Sequence, residues 1–256
     1  MPLENTKRSE GLGKRRDEWR PFTIVIPAHN EENYLPQTLE SLSVAFEAIQ
    51  FPGEIIVVND SSTDSTRQVA IDHGTRLIDV ELRNIGAVRN AGAKACQTDW
   101  LFFLDADTAL PGQTLAGALD LLAVGVAGGG AGIEIEPVHK IAAFKWLMFY
   151  GIKFIWQFLG GWAAGCFMFC RREVFESFGG FDEEYFAAEE LFFSREVAKR
   201  GRFQLLREPV LTSARKLEAY TTLELVKFVT FPIMRPRTLF KSRLGLEILY
   251  DDEKSR

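Results

Sequence analysis

The chain has 256 residues, 46% hydrophobic and 25% charged. That is ordinary for a globular protein and accommodates one large α/β domain or two small ones. A net charge of −5 argues against bulk electrostatic binding of nucleic acid, and three cysteines (Cys96, Cys166, Cys170) make neither a disulfide framework nor a zinc site. Residues 1–20 alternate charge (Lys7, Arg8, Glu10, Lys14, Arg15, Arg16, Asp17, Glu18) and contain no apolar stretch. No signal peptide is visible there, and 1–21 reads as a flexible tail. From Phe22 onward strand and helix alternate, the pattern of a mostly parallel sheet covered on both faces. Thr23–Pro27 is the first predicted strand. Asn30 is the expected cap of a helix whose apolar positions are Leu35, Leu39, Leu42 and Phe46. Glu54–Val58 is a second strand, after which Asp64 or Ser65 opens a helix that Gly74 closes. A short strand over 76–81 precedes a helix of small residues from Gly86 to Cys96. Trp100–Leu104 is a fourth strand and 113–122 a further helix.

After the Gly125–Gly132 cluster the character changes, and 126–240 is taken as a second half of one domain spanning 22–240. Residues 241–256 form a C-terminal tail. Cys166–Cys170 reads as a strand. Phe181–Tyr185 leads into a helix through about Arg200, and Phe203–Leu206 is a short strand. Residues 222–240 form an apolar, helical stretch broken by Pro232 and Pro236. Ile141–Leu159 is apolar and aromatic but holds Lys145, Lys153 and Gln157, which argue against spanning a bilayer. Two readings stay open for it: an interfacial helix with Trp146, Tyr150 and Trp156 as belt residues, or a buried helix on the sheet. Arg235, Arg237, Lys241 and Arg243, beside Phe231 and Phe240, suit an anionic leaflet.

The chemistry gathers at strand ends. Trp100–Leu104 runs into Asp105-Ala106-Asp107, and two carboxylates two apart at a strand tip suit a hard divalent cation. Their plainer use is to cap a turn. The first strand ends in Ile26-Pro-Ala-His-Asn-Glu-Glu32, and the second in Val58-Asn-Asp-Ser-Ser-Thr-Asp-Ser-Thr66. Asn84-Ile-Gly-Ala-Val-Arg-Asn-Ala-Gly92, Gly165–Glu173, Gly179–Glu183 and Glu189-Glu190 follow.

This ordered set strongly resembles the family 2 glycosyltransferases of the GT-A fold, over roughly residues 22–210. The resemblance implies an α/β, Rossmann-like sheet with helices on both faces. It also implies inverting transfer of a sugar from a nucleotide diphosphate, aided by Mg²⁺ or Mn²⁺. By resemblance, Asp105 and Asp107 hold the metal. Asp60 accepts from the base, and Pro27, Ala28 and Glu31 line the nucleoside pocket. Arg89 meets the base or diphosphate, and Asp105 and Ala106 lie along the donor. The family's Glu-Asp pair is Glu189-Glu190 here, which makes Glu190 the general base and leaves Glu189 as the competing candidate. The late histidine of many relatives has no counterpart, since the histidines are His29, His73 and His139. The Ser213–Lys216 segment is then the candidate to touch the diphosphate. The expected partners are a UDP- or GDP-sugar and an acceptor hydroxyl, with a lipid-linked acceptor compatible with the basic-aromatic segments. The expected location is the cytoplasm, peripheral at the inner membrane face. Two other readings compete: a nucleotidyltransferase, and a nucleotide-sugar-binding protein that has lost catalysis. The first wants a Gly-rich basic loop after the first strand, where this chain has an acidic, Gly-free one.

Overall fold

The computed structural model describes residues 15–135, 161–185 and 189–215. The aromatic segment 141–159 and the apolar segment 222–240 lie outside them, as do most of the N-terminal tail and all of 241–256. The first half alternates as expected: β1 (Phe22–Ala28), α1 (Leu35–Ile49), β2 (Glu54–Asp60), α2 (Thr66–Asp72), β3 (Arg76–Val80), α3 (Ile85–Ala95) and β4 (Trp100–Leu104). After β4 come β5 (Thr108–Ala109), α4 (Gly112–Ala123), β6 (Gly128–Ile135), β7 (Phe167–Arg171), α5 (Arg172–Ser177), α6 (Glu189–Arg200) and β8 (Phe203–Thr212). The described strands form one mixed sheet in the order β3-β2-β1-β4-β7-β6-β8-β5. The pairs β3–β2, β2–β1, β1–β4 and β6–β8 are parallel; β7 runs antiparallel to β4 and β6, and β5 to β8.

Side-chain alternation along the central strands builds a core on each face. Ile24, Ile26, Trp100, Phe102, Leu104, Phe167 and Phe169 point to one side, against Leu35, Leu39 and Leu42 of α1 and Leu115, Leu119 and Leu122 of α4. Val25, Leu101, Phe103, Met168 and Cys170 point to the other, against Val88 of α3, Phe175 of α5 and Phe193 and Val197 of α6. Each such Leu, Ile or Phe fully removed from water contributes roughly 1.5–3 kcal/mol. Much of the phenylalanine content is spent here: Phe103, Phe175, Phe181 and Phe193 meet with ring centroids 5.0–6.4 Å apart.

The structure corrects or narrows four sequence expectations. Asn30 does not cap α1, which starts at Leu35 with Pro36 in its first turn; Asn30 instead sits in the loop with φ 55°, its Oδ1 accepting from the Thr63 N–H. Asp64, not Ser65, supplies the side chain at the head of α2, accepting from both the N–H and the hydroxyl of Thr66. The 125–132 glycines are partly strand: Gly128–Gly130 run inside β6. A Cβ on Gly129 would collide with the Gln204 carbonyl, so strand packing requires glycine where strand propensity disfavours it. Finally, β8 extends to Thr212. Leu206 pairs with Ala131 and Pro209 with Gly132, so Arg207 and Glu208 bulge out and carry the strand past its proline.

Candidate functional site

The carboxyl ends of β1, β2 and β4 open on one edge of the sheet, the place where ligands bind in open α/β folds. The loops there are held in costly conformations. Asn30, Ser61 and Arg83 follow β1, β2 and β3 with φ of 55°, 57° and 50°. Left-handed backbone is costly for Ser and Arg and clusters at functional sites.

The nucleoside-side residues of the sequence reading do converge. Asp60, nearly buried at the end of β2, accepts from the N–H groups of Leu82 and Arg83, both at 2.8 Å. It thereby fixes the loop after β3. His29 Nδ1 lies 2.6 Å from the Asp60 carbonyl, so that nitrogen carries the proton. His29 Nε2 then accepts from Arg83 Nη1 at 3.0 Å and Asn30 Nδ2 at 3.2 Å. Pro27 and Ala28 pair with Val58 and Asn59 across β1 and β2. The Glu31 backbone N–H donates to the Thr66 hydroxyl at 2.7 Å.

The acidic end is built on two arginines. Arg89, on α3, is 1% exposed and capped into place by Asn84, whose Oδ1 accepts from Ala87 N–H. Its Nη1 donates to Glu189 Oε1 at 2.8 Å, and its Nη2 to Asp105 Oδ1 at 2.8 Å and the Gly165 carbonyl at 2.9 Å. Burial opposes its charge, but Asp105 and Glu189 outweigh burial and hold it firmly as a cation. Arg89 is thus no surface residue; it lies beneath the site and ties the β4 tip to the head of α6. Helix α3 comes this close to the sheet because Gly92 faces Val25 and Val58, where a Cβ would collide. On the other side, Arg215 binds Glu31 with both terminal nitrogens, at 2.8 and 2.7 Å, and its Nε lies 2.9 Å from Asp107 Oδ2. Ser213 Oγ donates to that same oxygen at 2.9 Å. The short pairing of β5 with the end of β8 makes this contact, and Ser213 N–H also meets the Asp107 carbonyl. Ala106, between the two aspartates, is buried, and its carbonyl accepts from Thr38.

Asp105 and Asp107 form an oxygen-only pair at a strand tip, which fits a hard divalent cation in kind. Among the described residues no third His, Cys, Asp or Glu joins them. Such a cation would complete its shell with water and ligand phosphate oxygens, as Mg²⁺ commonly does.

The two glutamates at the head of α6 differ sharply. Glu189 is buried against Arg89. Among the described residues no other side chain hydrogen-bonds or ion-pairs with the Glu190 carboxylate, which meets its own backbone N–H. A methyl group built on Gly165 would lie 3.8 Å from Arg89 Nη2 and 3.9 Å from Glu190 Oε2, so these groups surround one point. Burial, reinforced by the Glu189 charge, raises the Glu190 carboxyl to about 8. A desolvated carboxylate near neutrality, at a cluster of charged groups, is the profile of a general acid–base. Sequence reasoning placed Arg89, Asp105 and Glu189 separately and missed that one guanidinium joins them. It also missed the roles of Arg83 and Tyr34, over whose ring Arg215 lies at 4.8 Å. No local pattern marks these, since each depends on a loop-to-loop approach.

Comparison with known proteins gives a consistent picture. Residues 23–179 match the family model described as Glycosyl transferase family 2. The undecaprenyl-phosphate 4-deoxy-4-formamido-L-arabinose transferase of Pseudomonas fluorescens is 34% identical over 110 residues, covering 40% of this chain and 32% of that protein. This chain thus spans about a third of that relative's length. TarS of Staphylococcus aureus, solved with UDP-GlcNAc, superposes with a TM-score of 0.58 at 18% identity, covering 90% of this chain and 71% of TarS. The mannosyltransferase PcManGT of Pyrobaculum calidifontis, solved with GDP-Man and Mn²⁺, gives 0.57 at 19% identity, covering 91% and 69%. At these identities the two structures establish the shared GT-A-like fold.

Proposed function

This chain belongs to glycosyl transferase family 2, and we propose that it transfers a sugar, with inversion, from a UDP- or GDP-sugar to an acceptor hydroxyl. Family membership favours this over a nucleotidyltransferase or a binding protein without catalysis. The observation that carries the reading is the convergence of Asp105, Glu189 and the Gly165 carbonyl on Arg89, with the Glu190 carboxylate beside them at Gly165.

The acceptor oxygen attacks the anomeric carbon as the bond from that carbon to the β-phosphate oxygen breaks. The acceptor proton passes to Glu190, and the nucleoside diphosphate leaves with the bonding electron pair. Glu190 stands clear of Arg89's donors and keeps its basicity because it is desolvated. Glu189, locked to Arg89, positions the head of α6 so that Glu190 faces the acceptor side. Asp60 supports the nucleoside side by fixing the loop at Leu82 and Arg83, with Pro27, Ala28 and His29 as its walls. Asp105 and Asp107 would hold Mg²⁺ or Mn²⁺, which when bound supplies Lewis-acid neutralisation of the diphosphate. PcManGT, solved with Mn²⁺, supports that assignment.

A lipid-linked or cell-envelope acceptor fits best. The Pseudomonas relative is named for undecaprenyl phosphate, and the segment with Trp146, Lys153 and Trp156 suits a membrane-proximal substrate. No helix of the described residues is long and apolar enough to cross a membrane. Thermal shift against a panel of nucleotide sugars with Mg²⁺ or Mn²⁺, followed by a transfer assay on the donor that stabilises most, tests the reading. No stabilisation by any UDP- or GDP-sugar, and no release of nucleoside diphosphate, would refute it.

A further inference from the structure

Arg215 lies on one of the two carboxylates assigned above to a divalent cation. Its side chain is 16% exposed, that of Glu31 11% and that of Asp107 10%. Water screens charges poorly in such a place, so two cations cannot share Asp107 at low cost. The contact is also incomplete. Both terminal nitrogens of Arg215 are committed to Glu31, while Nε approaches Asp107 Oδ2 at 2.9 Å without hydrogen-bond geometry. A buried N–H with no acceptor is unfavourable. The arrangement is therefore electrostatically strong but poorly satisfied, and a phosphate oxygen arriving beside it would supply the missing acceptor. Ser213 Oγ holds Asp107 Oδ2, and the ring of Tyr34 lies against the guanidinium.

We propose that Arg215 is an internal counter-ion of the cation site: it neutralises Asp107 in the donor-free protein and must give up that carboxylate before a divalent cation binds there. The inference rests on the metal assignment made under the proposed function. Its consequence is coupling. A dication entering alone adds charge beside Arg89 and Arg215, whereas one entering with a nucleoside diphosphate brings its own compensation. Metal binding to the donor-free protein is thus weak, and weak because of Arg215.

The test titrates the full chain with Mn²⁺ alone, following free Mn²⁺ by electron paramagnetic resonance without nucleotide. Arg215→Met should bind Mn²⁺ at least about tenfold more tightly than wild type, within the usual range of site-to-site coupling. Arg215→Lys keeps a cation but cannot fork across Glu31 while reaching Asp107, and should fall between the two. It also serves if the methionine variant does not fold. Asp107→Asn should weaken binding in every background. If Asp107→Asn weakens binding but neither Arg215 variant tightens it, the counter-ion role is overturned and the metal assignment stands. If Asp107→Asn changes nothing, the metal assignment falls and the counter-ion role with it.

Discussion

The sharpest expectation concerns Glu190, where one substitution should have opposite effects on rate and on stability. Glu190→Gln keeps size and removes the base. Loss of a positioned general base lowers kcat about 10²–10⁴-fold, with donor affinity nearly unchanged because the base acts in the transition state. The wild-type kcat/KM should rise with pH to a plateau above about 8, where the raised Glu190 carboxyl has ionised; the variant should lack that limb. Glu189→Gln is the control. It removes the neighbouring negative charge that raises Glu190, so the limb should move to lower pH rather than vanish. The stability effect has the other sign. A carboxyl raised in the native state from 4.5 to about 8 holds its proton where the unfolded chain has lost it. Its stabilisation is complete below 4.5 and declines through the folded value, at up to about 1.4 kcal/mol per pH unit. Glu190→Gln removes that decline, so relative to wild type it should melt progressively higher as pH rises from 5 to 8. Stopped-assay pH profiles and melting curves on the same preparations measure both. Near-full kcat in Glu190→Gln with a large loss in Glu189→Gln would make Glu189 the base and refute the assignment.

Asp107→Ala should abolish metal-dependent turnover, by about 10² or more, while leaving the far-ultraviolet spectrum unchanged; unaltered metal-dependent rates would remove it from the cation site. Asp60→Ala frees two backbone N–H groups that it anchors at 2.8 Å, so donor Kd should rise strongly while kcat at saturating donor changes little. A normal donor affinity, measured by calorimetry, would contradict this. Gly129→Ala forces a methyl group into the Gln204 carbonyl and should cost about 1–3 kcal/mol or more, read as a drop in Tm of at least about 3 °C. An unchanged Tm would mean that β6 and β8 separate easily.

Most of the first half was legible because its signals are local. Trp100–Leu104 is apolar at every position and is buried on both faces, and Asn84 caps α3 by a contact three residues long. What escaped depended on distant backbone. Glycines 128–130 read as a boundary, since only the neighbouring strands explain why no side chain fits there. The continuation of β8 past Pro209 was hidden because a bulge, visible only from its pairing with β6, absorbs the proline.

The candidate site shows the same division, and it explains why the acidic motif alone was ambiguous. Asp105 and Asp107 are two residues apart, yet each answers to a different arginine: Arg89, 16 positions before Asp105, and Arg215, beyond the end of β8. A strand tip with two unpaired carboxylates would repel a diphosphate, whereas one with two paired carboxylates is near neutrality and can be recharged by what binds. The two arginines differ in freedom. Arg89 is fixed by three acceptors on three different segments, and moving it would strip Asp105, Glu189 and Gly165 together. Arg215, just past β8, is forked by Glu31 alone, and its approach to Asp107 lacks hydrogen-bond geometry. On the proposed mechanism, Arg89 then belongs to the frame around Glu190, and Arg215 to the side where the charge on the donor would be accommodated.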